Sequence, residues 1–117
     1  MSSALDCIFC KIIQKEIPSQ IVFENHNIFA FKDAQPQAPY HFLVVPKEHL
    51  TNILEINPKT TPMVSDLVMT ATDLAKKYGF SDNGFRLVFN CNKDGGQSVH
   101  HLHLHVLGGR TMQWPPG

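Results

Sequence analysis

The chain has 117 residues, a length that suits one domain with a core of its own. Ten basic and ten acidic side chains leave a formal net charge of zero. That balance gives no support for a nucleic-acid surface, and no apolar run approaches the ~20 residues of a membrane span. Three cysteines are an odd count, and the N-terminus has no basic patch ahead of an apolar stretch. Both features speak against a secreted disulfide framework and point to the cytoplasm or the nucleus.

In chain order, residues 1–6 read as a flexible N-terminus. CKIIQKEI, 10–17, is a short helical pattern closed by Pro18. Residues 20–33 hold two short β-rich runs about a hairpin turn at 24–27. AQPQAP is a loop rich in breakers. HFLVVP, 41–46, is a strand ended by Pro46. One long helix spans 62–78, with Thr61 as its N-cap, Pro62 at its first position and Gly79 as its stop. Val64, Leu67, Val68, Ala71, Leu74, Ala75 and Tyr78 give it one apolar face. NGFRLVFN, 83–90, is a strand after an Asn-Gly turn. CNKDGGQS, 91–98, is a loop. VHHLHLHVL, 99–107, is the last strand, and 108–117 form an irregular tail. The chain reads as one mixed α and β domain over 1–117.

Four of the seven histidines fall within HHLHLH, 100–105. Side chains alternate along a strand. Leu102, Leu104 and Val106 therefore face the core beneath the long helix, while His101, His103 and His105 face a cleft. Rings two apart on a strand lie roughly 6.5–7 Å apart, too far for three to bind one small ion. That spacing suits a row along an extended anionic ligand. The loop just before it, DGGQS, adds what an anion needs. Gly95 and Gly96 let peptide N–H groups approach a phosphate, and Gln97 and Ser98 bring side-chain donors.

Cys7 and Cys10 form a Cys-x-x-Cys pair. Two thiolates need two more ligands for tetrahedral zinc, and the candidates are His49 and one of His100 and His101. His100 lies on the leucine face by strand parity and is the second choice. The alternatives are two reduced, buried cysteines or a redox pair, though the βαβ context of thioredoxin chemistry is missing. Cys91 reads as a free thiol.

HLHLHVL, 101–107, matches the histidine triad signature, His-x-His-x-His followed by two apolar residues. IFCKIIQKEIPSQIVFE, FKDAQPQAPYHFLVVPKEH and GGQSVHHLHLHVLGGRTMQWPPG extend the likeness from Cys7 to Gly117. They resemble the histidine triad nucleotide-binding proteins that hydrolyse purine nucleoside phosphoramidates, and the closing WPPG is a feature of that branch. The resemblance implies an α+β fold: a five-stranded antiparallel sheet with one short and one long helix, paired as a homodimer. It implies an adenosine 5′-monophosphoramidase that acts through a nucleotidyl-histidine and releases AMP or GMP and an amine. A dinucleoside polyphosphate hydrolase and a nucleotide-binding scaffold protein with incidental activity are the alternatives.

By the same resemblance, His103 is the nucleophile, and His105 and Ser98 donate to the phosphate. His41 and His101 hold the row in orientation and protonation state. Asp33 binds the ribose hydroxyls, Asn90 touches phosphate or ribose, and Gly96 and Gln97 belong to the phosphate loop. Phe9, Ile12 and Phe31 sandwich the purine. Trp114, in the tail at 108–117, is expected to dock at the partner's nucleotide pocket. Cys7 and Cys10 depart from the best-known animal members. By analogy with the galactose-1-phosphate uridylyltransferases, Cys7, Cys10, His49 and His101 form a structural Zn2+ site. Loss of that zinc is expected to lower the melting temperature and leave the chemistry largely intact.

Overall fold

A computed structural model describes residues 6–117. The expected flexible segment 1–6 lies outside the described residues, apart from Asp6, which is exposed. The elements in order are α1 (Ile8–Ile13), β1 (Ile21–Glu24), β2 (Ile28–Lys32), β3 (Tyr40–Pro46), a 3-10 turn (Ile53–Glu55), α2 (Thr61–Lys77), β4 (Phe85–Val88), α3 (Asn92–Gly95) and β5 (Leu104–Gly108). The strands form one antiparallel sheet in the order β1-β2-β3-β5-β4, as the resemblance implies. No described helix is long and apolar enough to cross a membrane.

Helix α1 starts two residues earlier than its pattern predicts. Cys7 Sγ accepts from the Cys10 N–H at 3.3 Å and caps the first turn. The helix also stops early, at Ile13. Lys15 takes a positive φ of 64°, and the Glu16 N–H closes back on the Lys11 carbonyl at 2.9 Å. Between β1 and β2, Asn25 Oδ1 accepts from the N–H groups of Asn27 and Ile28 at 2.9 and 2.8 Å. This side-chain mimic of a turn sets the hairpin within the expected residues.

Helix α2 is capped at Thr60, not Thr61, and Thr60 makes no side-chain cap bond. Thr61 instead donates its hydroxyl to the Asn57 carbonyl at 2.7 Å. The apolar face is oriented as predicted. Leu67, Ala71, Leu74 and Ala75 are buried, and Val64, Val68 and Tyr78 half-buried.

The sheet is covered on both faces, which is why β3 reads as an unbroken apolar run. Phe42 and Val44 point to α2, where they meet Leu102, Leu104 and Val106. Leu43 and Val45 point the other way, to Phe29, Phe31 and the buried residues of α1. The leucines of the histidine segment thus lie where alternation predicts.

Two readings are corrected. The segment 91–98 is not wholly loop, because Asn92–Gly95 makes one helical turn, ended by Gly96 at φ 77°. The last strand begins at Leu104 rather than at 99. Ahead of it the chain leaves the ladder, and the Leu102 N–H bonds the Leu50 carbonyl at 2.6 Å instead. His101 and His103 therefore precede the strand, and only His105 sits in it.

Candidate functional site

His105 pairs with Leu43 across the ladder, and His41 lies two residues earlier on that same neighbouring strand. Both rings stand on the α1 side of the sheet. They line a cleft of about 1040 Å3 together with Phe9, Ile12, Phe31, Asp33, Ser98 and His103. Eight of the residues singled out from sequence thus converge on one cavity.

Geometry settles the tautomer of His103. Its Nδ1 lies 2.6 Å from the His101 carbonyl oxygen. A carbonyl only accepts, so the proton is on Nδ1 and the lone pair is on Nε2. The ring is 5% exposed. It meets Phe9 edge-on at 5.1 Å and His105 at 5.0 Å between centroids. Burial lowers its pKa below the ordinary histidine value, against the backbone hydrogen bond and the Asp33 carboxylate, which raise it. The result is a neutral imidazole whose free electron pair is on the nitrogen that has no hydrogen-bond partner among the described residues.

Burial also lowers His105, to about 4, helped by the neighbouring His103 and His41 rings. His41 is lowered by burial, partly offset by Asp33. His41 Nε2 lies 2.9 Å from His105 Nδ1 and 3.4 Å from Asp33 Oδ2. Asp33 Oδ1 accepts from the Gln35 N–H at 2.8 Å. The Gln37 N–H donates to His41 Nδ1 at 3.0 Å. That peptide contact has no signature in side-chain chemistry, and only the fold reveals it.

His101 belongs to a second cluster. It is fully buried, and its Nε2 donates to the Pro46 carbonyl at 2.9 Å. That bond leaves the lone pair on Nδ1, which lies 3.4 Å from Cys7 Sγ, 3.5 Å from Cys10 Sγ and 3.2 Å from His49 Nδ1. Cys10 Sγ lies 3.3 Å from His49 Nδ1. Zinc with bonds of about 2.0–2.1 Å to nitrogen and 2.3 Å to sulfur requires ligand separations of about 3.3–3.8 Å. The four separations above, 3.2–3.5 Å, fall at or close to that range, and all four donor atoms lie within 4.8 Å of one another. The chemistry agrees: burial and its Cys7 neighbour push the Cys10 thiol up to about 11, so a thiolate pair here calls for a compensating cation. His101 joins this group; His100, the second choice, is exposed.

Some expected ligands are placed otherwise. Gln97 spends its side chain on the loop, with Nε2 on the Thr51 and Val99 carbonyls at 2.7 and 3.1 Å, and Oε1 on the Asn92 N–H at 2.9 Å. Gly96 closes α3. Asn90 is half-buried and lies outside the cleft lining. Trp114 does not dock on its own chain, since the residue is 82% exposed. Beside it, Arg86 Nη2 holds the Gln113 carbonyl at 2.9 Å.

A family model described as the C-terminal binding region of scavenger mRNA decapping enzymes matches residues 6–114. A solved HIT family hydrolase from Legionella pneumophila is 51% identical, with a TM-score of 0.94 over 96% of this chain and all of that one. An HIT-like protein of Synechococcus elongatus is 46% identical over 96% of this chain and 97% of its own. A histidine triad nucleotide-binding protein from Candida albicans is 31% identical, with a TM-score of 0.81 over 94% of this chain and 83% of that one.

Proposed function

This chain belongs to the histidine triad family, and we propose that within it the protein hydrolyses purine nucleoside phosphoramidates to a nucleoside monophosphate and an amine. The relatives named as a hydrolase and as a nucleotide-binding protein support a hydrolase with a nucleotide ligand. One observation carries the chemistry. The His103 Nδ1–H, spent on a backbone carbonyl at 2.6 Å, leaves Nε2 as a nucleophile in a buried ring that lines the cleft.

The residues divide the work as follows. His103 Nε2 attacks the α-phosphorus, forming a phosphorus–nitrogen bond as the bond to the leaving amine breaks. The departing nitrogen takes a proton passed through the Ser98 hydroxyl, which regains one from solvent, so that the group leaves as a neutral amine. His105 donates to the phosphoryl oxygens, where negative charge develops. Water then attacks the phosphorus and frees His103. Asp33 takes the ribose hydroxyls, and Phe9, Ile12 and Phe31 hold the base. Cys7, Cys10, His49 and His101 would hold Zn2+, and through it α1, the loop after β3 and the segment before β5 would be tied together. With four protein ligands and no open position, such a site would supply cross-linking rather than chemistry. The exposed Trp114 supports a homodimer in which the tail reaches the partner's pocket.

The deciding assay is turnover of adenosine 5′-phosphoramidate beside diadenosine triphosphate. Intact-mass measurement during turnover should find AMP attached to His103. Preference for the diadenosine substrate would move the assignment to a dinucleoside polyphosphate hydrolase. AMP binding without turnover of either would leave a nucleotide-binding protein.

A further inference from the structure

Behind His105 runs a line of hydrogen bonds that the nucleophile does not use. It begins at a peptide group. The Gln37 N–H points at His41 Nδ1 from 3.0 Å, and a peptide N–H can only donate. His41 Nδ1 therefore carries a lone pair, and the proton of the neutral ring is on Nε2. Nε2 is 2.9 Å from His105 Nδ1 and 3.4 Å from Asp33 Oδ2. The shorter contact puts the N–H against His105 Nδ1, which must then accept. The proton of His105 is left on Nε2, the nitrogen free to meet a ligand in the cleft. One backbone amide thus dictates two tautomers in succession.

Gln37 is itself held, through the carbonyl of the following peptide unit. Arg110 Nε donates to the Gln37 carbonyl at 2.9 Å, and its Nη1 donates to the Thr111 carbonyl at 3.1 Å. Gly109, at φ 92°, lets the tail close on this loop. A Cβ there would come within 2.9 Å of Pro39. At the loop's other end the Asp33 N–H bonds the His41 carbonyl at 3.0 Å. Arg110 is therefore the side chain from outside the loop that grips it at the residue whose N–H meets His41.

We propose that Arg110 is a positioning residue: by holding the Gln37 carbonyl, in the peptide unit that follows the one whose N–H meets His41, it fixes the direction of that N–H and sets His41 and His105 as Nε2–H tautomers, so that His105 meets the phosphoryl oxygen as a neutral donor. The catalytic meaning rests on the phosphoramidase reading; the tautomers do not. Asp33, His41 and His105 could alternatively gather a cation, since their donor atoms lie within 4.8 Å of one another. A cation on His41 Nε2 would drive the proton to Nδ1, against the Gln37 N–H, donor facing donor. The geometry favours a proton over a metal.

Two-bond 1H–15N correlation spectra of histidine-labelled protein, as purified and without substrate, read each tautomer directly. The wild type should show Nε2–H at His41 and His105, and Nδ1–H at His103. Gln37→Pro deletes the N–H and should turn His41 and His105 into tautomer mixtures while His103 keeps its pattern. Gln37→Ala, which keeps the N–H, should keep both. Arg110→Ala should disturb His41 and His105 in the same direction, and Arg110→Lys should restore them in part. With adenosine 5′-phosphoramidate, Arg110→Ala should lower kcat by about tenfold, less than the loss of a whole donor, and move KM by less than threefold. A wild-type His41 protonated on Nδ1, or an Arg110→Ala protein with both tautomers unchanged, overturns the proposal. If Gln37→Pro does not fold, the wild-type and Arg110 spectra decide. If the wild type turns over no phosphoramidate, the functional reading falls and the spectra still judge this one.

Discussion

Removing the metal is the perturbation whose outcome the structure changes most. His101 has two roles at once. Its Nδ1 joins Cys7, Cys10 and His49, and its carbonyl receives the His103 proton at 2.6 Å. A purely structural zinc would alter stability alone, as the sequence suggests. The shared residue adds a second effect. If the ring of His101 loses its anchor, the carbonyl loosens and His103 keeps its reactive tautomer for less of the time. A neutral hydrogen bond contributes about 0.5–1.5 kcal/mol net, so the expected fall in turnover is roughly 2- to 13-fold. Stability should fall further, because three buried donors and the half-buried His49 lose their common partner and the Cys10 thiol has no cation to favour its ionisation. Purified protein should carry about one zinc per chain by elemental analysis, and Cys10→Ser should abolish it. Thermal melting and phosphoramidate turnover, the latter well below the melt, should both drop in the variant. Metal-free protein with an unchanged melting temperature and kcat would refute the coupling. A loss of a hundredfold or more in folded protein would place zinc in the chemistry itself.

Three further outcomes are expected. His103→Ala should lose several orders of magnitude in kcat yet bind AMP within about tenfold by calorimetry, whereas a variant that keeps a tenth of the activity excludes His103 as nucleophile. The low pKa values of His41, His103 and His105 should hold kcat/KM level to below pH 6.5, under the usual histidine limb, so a profile that halves at 6.5 would contradict them. The sign for stability is opposite: below the ordinary histidine value the unfolded chain binds protons that the folded chain refuses, so stability is lost as pH falls. For His105, lowered to about 4, this loss runs from about pH 6.5 down to about 4 at up to about 1.4 kcal/mol per pH unit before solvent screening, readable as a falling urea midpoint. Trp114→Ala should change preference among leaving amines more than AMP affinity, in a protein that runs at about 26 kDa, twice the 13.2 kDa chain; a monomer with unaltered preference would remove Trp114 from the substrate site.

The period-two alternation of Leu102, Leu104 and Val106 was legible from sequence alone, because burial of one face repeats with the pleat. So was the buried stripe of α2, because the 3.6-residue period repeats over 17 residues. The cysteine pair pointed to the cluster it forms with His49 and His101, and the histidine row pointed to the cleft that His103 and His105 line. What the sequence could not carry was anything mediated by backbone groups. Helix α1 begins early because a sulfur accepts a peptide N–H, and the last strand begins late because Leu102 bonds Leu50 rather than the ladder. His101 and His103 are neighbours in one motif but serve different clusters, and strand parity alone would have set them in a single row. Only tertiary structure turns His101 toward the cysteines while its carbonyl stays with His103. The same holds for Gln37 and Arg110, 73 residues apart, whose link runs through a carbonyl that every residue possesses. Side-chain type records chemistry; the direction of a peptide N–H is decided by the path of the folded chain, and here that path selects which nitrogen of each histidine carries its proton.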